Sequence, residues 1–212
     1  LGVAFLFFGL VLLGWHAQSL EFAAFRGLPP LAAGIVFVLA LIGFGAEAGF
    51  VPFHVWLPEA HSAAPSHVSA LMSGVMIKMG LYGLLRVLTF LGPPALWWGP
   101  MLGVLGMVTA LVGISLALQQ RDVKRVLAYS SIENMGLIAL ALGIGLSGWA
   151  QGQPALAVLG VTAALLHVWN HALMKGLMFL AAGSILHATG SRDLERLGGL
   201  TKRMPWTAGA MV

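Results

Sequence analysis

Residues 165–180 read "LLHVWNHALMKGLMFL", a run suited to hydrocarbon that nonetheless carries His167, His171 and Lys175. The apolar character continues on both sides, from Pro154 to His187. As a helix, that stretch reaches roughly 50 Å at about 1.5 Å per residue, beyond a bilayer core of about 30 Å. Steps of four residues turn a helix by about 400°, so the three ionisable groups share one face and rise about 6 Å per step. A charge at bilayer depth costs about 3 kcal/mol or more, and such groups usually face a cavity on an ion or proton path. Imidazoles titrate close to working pH, so two of them one turn apart can pass a proton. The alternative is two neutral histidines bonding neighbouring helices beside a paired lysine.

The surrounding chain makes the membrane setting general. Of 212 residues, 59% are hydrophobic and 8% charged, against roughly 25% charged in soluble domains. There is no cysteine, which excludes disulfides, thiolate zinc and cysteine-ligated iron–sulfur or nickel centres in this chain. We therefore expect no cofactor here, and any redox chemistry belongs to a partner. Spans of about 20 apolar residues fall near 1–15, 31–49, 66–91, 96–119, 123–146 and 154–187, and one begins near 206. All should be helical, because lipid leaves an open strand edge unsatisfied. Twenty-eight glycines suit close helix packing. Leu1 already lies in an apolar run and "WTAGAMV" (206–212) opens another, so the expectation is a single transmembrane domain that is a fragment of a longer polytopic chain, with no signal peptide in view.

Net charge is +4, but the basic residues are dispersed between apolar runs and form no nucleic-acid patch. They report orientation instead. The linkers 50–65, 119–125 and 188–205 carry Arg121, Lys124, Arg125, Arg192, Arg196, Lys202 and Arg203, and the opposite side carries Arg26 and Arg86. By the positive-inside rule, 119–125 and 188–205 face the cytoplasm. Arg121, Asp122, Lys124 and Arg125 read most simply as a solvated loop. His16, Glu21, Arg26, Arg86 and His187 read as interfacial.

Pro52, Pro58 and Pro65 punctuate "AGFVPFHVWLPEAHSAAPSHV" (48–68). Proline removes a backbone donor and clashes with the preceding turn, so a helix broken near 48–53 and a short second helix are expected. In transporters such breaks mark ion sites; an interfacial loop is the plainer reading. Lys78 lies about 12 residues, or roughly 18 Å, inside its span, and ideal helical spacing puts His67, Gly74 and Tyr82 on its face with room for water beside the glycine. Glu47 closes the run before the break, and Glu133 sits mid-span one turn from Tyr129. Either glutamate is a candidate to exchange protons with the lysines, or to hold a static ion pair.

Three blocks carry a resemblance: "GFVPFHVWLPEAHSAAPSHVSALMSGVMIKMGLYGLLR", "DVKRVLAYSSIENMGLIALALG", and "HVWNHALMKGLMFLAAGSI" followed by "TGSRDLERLGGLTKRMPWTA". Together, across almost the whole chain, they resemble the proton-translocating, antiporter-like membrane subunits of respiratory complex I, Mrp-type antiporters and membrane-bound hydrogenases, and most of all hydrogenase-4 component B and the corresponding formate hydrogenlyase subunit. The resemblance implies an all-α polytopic bundle, part of an inverted-repeat fold with a broken helix in each repeat, here running from the sixth helix to the start of the twelfth. It places the family's mid-membrane lysine on Lys78 and its eleventh-helix histidines and lysine on His167, His171 and Lys175. Where the family usually has a lysine in the first broken helix, this chain has Glu47, so either Lys78 alone serves the first half-channel or its charge logic differs. The implied partners are other membrane and peripheral subunits of a hydrogenase or complex I-like assembly, and the implied cargo is protons or sodium. The implied location is the cytoplasmic membrane of a bacterium.

Overall fold

The computed structural model describes residues 2–25 and 27–211. Arg26, counted above in the charge balance, lies outside them, as do Leu1 and Val212. The described residues form helices α1 (Gly2–Ala17), α2 (Pro30–Ala48), α3 (Trp56–Ala63), α4 (Ser66–Leu71), α5 (Ile77–Leu91), α6 (Trp98–Ala117), α7 (Val123–Ala150), α8 (Pro154–Thr189), α9 (Leu200–Arg203) and α10 (Pro205–Met211). Among the described residues, five helical stretches are long and apolar enough to cross a membrane: Pro30–Ala63, Ser66–Leu91, Trp98–Ala117, Val123–Ala150 and Pro154–Thr189. The protein is an all-α, multi-pass membrane bundle.

Two of those stretches are interrupted, each for a local reason. α2 ends at Ala48, where Gly49 takes a left-handed φ of 82° and donates its N–H to the Gly45 carbonyl, a helix cap that suits a residue without Cβ. The chain then passes through Pro52 and one tight turn (Phe53–Val55) before α3 begins. Two cross-links hold the break: Trp56 Nε1 donates to the Ala46 carbonyl at 2.9 Å, and the Val51 N–H donates to Thr109 Oγ1 of α6 at 3.2 Å. The second interruption is a π-helical turn, Met72–Met76, between α4 and α5. Such turns insert extra backbone into a helix and are frequent at functional sites.

Glycine seams bring the long helices together. Gly99 and Gly106 of α6 face Gly143 and Gly136 of α7, and Gly113 faces the Glu133 backbone, so closely that a Cβ on Gly106 would stand 2.6 Å from the Gly136 carbonyl oxygen. In lipid, where no hydrophobic effect drives helices together, this backbone proximity supplies the packing. Trp98 caps the seam, stacked on Phe37 of α2 at 4.6 Å and 8°.

At one end, the linkers 50–65, 119–125 and 188–205 converge. Glu59 pairs with Arg125 at 3.0 Å and Asp122 with Arg192 at 3.3 Å, while Arg192 also donates to the Ser62 carbonyl at 2.9 Å. Asp122 caps α7 by accepting from the Lys124 N–H at 2.8 Å. Lys124 departs from the solvated loop expected of it: only 2% is exposed, and its amine reaches the Ala64 carbonyl just past the end of α3. That partner lies 60 positions earlier in the chain, out of view of a local reading of the sequence.

Candidate functional site

α5, α7 and α8 bring the deep ionisable groups of the sequence together. Lys78 is 8% exposed, and Lys175 and His171 are each 1% exposed. Among the described residues neither lysine is within ion-pair distance of a carboxylate. Their charges are met by oxygens of the helix backbone and of serines. Lys78 Nζ donates to the Ser73 carbonyl in the π-helical turn. Lys175 Nζ donates to the Leu127 carbonyl at 3.0 Å and to Ser130 Oγ.

Those two anchor points belong to one hydrogen-bonded ladder. Ser131 Oγ donates its single proton to the Leu127 carbonyl at 2.8 Å. Ser73 Oγ lies 2.8 Å from Ser131 Oγ, so Ser73 must be the donor in that pair. The contacts therefore link α5, α7 and α8: the Ser73 carbonyl holds the Lys78 amine, the Ser73 hydroxyl donates to Ser131, and Ser131 shares the Leu127 oxygen with the Lys175 amine. Both amines end on backbone carbonyls, which only accept, so the ladder positions the lysines and does not itself carry a proton. The same strip of α7 extends to one of the histidines: the Asn134 side chain donates to the Ser130 carbonyl at 2.7 Å and its Oδ1 stands 2.8 Å from His167 Nε2, while the ring nitrogens of His171 are buried without a hydrogen-bond partner among the described residues. The His167 and His171 rings lie nearly parallel, 12° apart, with centroids separated by 6.3 Å.

Spacing along the sequence anticipates the α8 column but not the ladder. Ser73, Ser130, Ser131 and Asn134 look like ordinary small residues in packed helices. The signal that could have found the last three is "YSSIEN" itself, four polar residues and a tyrosine within six positions of an apolar span; Ser73 stands alone in "LMSGVM" and carries no such signal. Gly74, Lys78 and Tyr82 do line one cavity, of about 400 Å³, with Val75, Met79 and Leu165. His67 does not join them and stays exposed, because the π-helical turn between it and Lys78 breaks the regular 3.6-residue phase. The cavity wall is almost wholly apolar, so beyond Lys78 it offers water little to bond.

The glutamates stand apart from the ladder. Glu133 is half-buried on α7 where Gly113 of α6 packs against its backbone. Glu47 is half-buried too, and lines a different cavity of about 400 Å³ with Gly2, Val3, Leu6, Phe53 and Trp56, towards α1. His61 of α3 is fully buried, its ring stacked on Phe179 of α8 at 4.6 Å, one turn beyond Lys175. Among the described residues, no group of three or more His, Asp or Glu side chains is arranged to hold a metal ion.

Comparison with known proteins identifies the family. Residues 1–212 match the family described as NADH:quinone oxidoreductase/Mrp antiporter, transmembrane. The chain belongs to this family. It is 49% identical over 215 residues to hydrogenase-4 component B of Escherichia coli (strain K12), covering 99% of this chain and 32% of that protein. Formate hydrogenlyase subunit 3 of the same organism is 47% identical over 183 residues, covering 86% and 30%. The structure of the Mrp complex from Dietzia sp. DQ12-45-1b contains a chain that superposes with a TM-score of 0.84 at 25% identity, over 99% of this chain and 38% of that one. This chain thus spans about a third of the length of the curated relatives it matches.

Proposed function

We propose that this chain is the proton-conducting segment of a membrane subunit in an energy-converting oxidoreductase complex of the hydrogenase-4/formate hydrogenlyase or NADH:quinone type. The complex would sit in the cytoplasmic membrane of a bacterium, with the basic end of the bundle facing the cytoplasm. Partner subunits would carry the redox groups and this chain none. The single observation that carries the reading is that Lys78 and Lys175 are buried inside membrane-length helices with no carboxylate within ion-pair distance among the described residues, their amines held only by backbone carbonyls and a serine hydroxyl. A static fold has no need of two buried ammonium groups held in that way. A relay needs groups that gain and lose a proton.

In this mechanism Lys78 and Lys175 load and release protons, with the serine hydroxyls between them fixing the positions of the two amines. His171, buried one turn from Lys175, receives or supplies the proton at the middle of α8, and His167 extends the column by a further turn. Glu47 and Glu133 adjust the lysines electrostatically as the surrounding subunits move, since a carboxylate that approaches favours the ammonium form and one that withdraws favours the amine. The second reading, a sodium/proton antiporter subunit without a redox partner, is favoured by the likeness to a chain of the Mrp complex. Proton pumping by the full-length complex in vesicles separates the two: Lys78→Met and His171→Ala should each reduce redox-driven acidification at least tenfold. Wild-type pumping in both variants would end the relay, and sodium-driven exchange by the isolated full-length subunit would favour the antiporter.

A further inference from the structure

The structure assigns to Asn134 a role in the relay: it locks His167 into one tautomer, so that this imidazole takes up and returns protons only through Nδ1. The assignment follows from which atoms can donate. A backbone carbonyl only accepts, so the Asn134 side-chain atom 2.7 Å from the Ser130 carbonyl is its amide nitrogen. The other end of the amide, facing His167, is then its oxygen. An amide oxygen also only accepts, so His167 Nε2, 2.8 Å away, carries a hydrogen. Turning the amide over would set its oxygen against the Ser130 carbonyl, two acceptors at 2.7 Å, so the backbone selects the amide's orientation and with it the tautomer.

The consequence concerns proton traffic. Neutral His167 holds one proton on Nε2, and a second can arrive only at Nδ1, giving the imidazolium. The Asn134 oxygen is far too weak a base to take the Nε2 proton. The imidazolium therefore discharges from Nδ1, the nitrogen that was loaded, and His167 stores a proton without conducting it from one face of the ring to the other. A carboxylate at position 134 would remove that block, because it can accept the Nε2 proton and favours the doubly protonated ring. The role of His167 as a store rests on the relay proposed above; its tautomer does not.

Solid-state NMR of the full-length protein in lipid vesicles, with ¹⁵N-labelled histidine, tests this directly. The His167 signals are identified by their loss in His167→Gln. At alkaline pH the wild-type protein should show a protonated Nε2 and a bare Nδ1. The Nε2 hydrogen should exchange with deuterated solvent at least tenfold more slowly than in Asn134→Leu, where the tautomers should mix. Asn134→Asp should keep both nitrogens protonated at a pH where the wild-type ring is neutral. A bare Nε2 in the wild-type protein overturns the proposal even if every variant misfolds. So does a tautomer unchanged in a folded Asn134→Leu variant, or a ring in folded Asn134→Asp that titrates as in the wild type.

Discussion

The Ser73–Ser131 pair allows structural and transport roles to be separated by a double-mutant cycle. Both serines are fully buried. In Ser131→Ala, Ser73 loses its acceptor and keeps an unpaired hydroxyl in a dry site, which costs about 1–3 kcal/mol. In Ser73→Ala, the Ser131 hydroxyl still donates to the Leu127 carbonyl at 2.8 Å, so the loss is one ordinary hydrogen bond, about 0.5–1.5 kcal/mol. Removing both hydroxyls leaves no orphan, so the double variant should be more stable than the sum of the singles by about 1–2 kcal/mol. The midpoint and slope of denaturant unfolding in lipid bicelles give these values. Pumping should behave otherwise: either single variant and the double should each lose at least tenfold, about 1.4 kcal/mol in the barrier, because the contact that sets α5 against α7 and places the two amines is gone in all three. Strictly additive stabilities would refute the donor assignment, and near-wild-type pumping in the double variant would refute the positioning role.

Two further substitutions probe the frame that holds the ladder. Gly106→Ala gains about 1 kcal/mol of helix propensity but forces a methyl to within 2.6 Å of the Gly136 carbonyl oxygen. Overpacking of about 1–3 kcal/mol should win, seen as a lower unfolding midpoint; a raised midpoint would show that α6 and α7 can separate freely. Asp122→Ala removes the α7 cap and the Arg192 ion pair together and should cost about 1–2 kcal/mol. Asp122→Asn should recover most of that loss, because asparagine also caps, and equal losses in the two variants would shift the weight to the ion pair.

Much of the fold was open to reading because a bilayer allows so few solutions. Apolar runs of span length had to be helices, and the prolines of residues 48–68 bracket the point where α2 gives way to α3. The column of His167, His171 and Lys175 was visible because four-residue spacing and a regular helix leave one outcome. The same rule misplaced His67, since a π-helical turn shifts the phase and "MSGVM" carries no local sign of one. Lys124 was misread for a different reason: its burial depends on the Ala64 carbonyl, supplied by a helix end remote in sequence. The serines of the ladder were passed over because a hydroxyl in a membrane helix so often bonds only to its own preceding turn. Ser131 does so as well, and its role appears only when Ser73 is brought opposite.

The central claim is that the amines of Lys78 and Lys175 gain and lose protons, where a structural anchor would require only that they stay charged. Arginine at either position keeps the charge and its donors, yet it cannot release a proton in a protein. Proton pumping should therefore be measured in vesicles containing the full-length complex with Lys78→Arg or Lys175→Arg, with assembly checked on the same preparations. The account predicts assembled complexes whose pumping falls at least tenfold; arginine variants that assemble and pump like the wild type would contradict it.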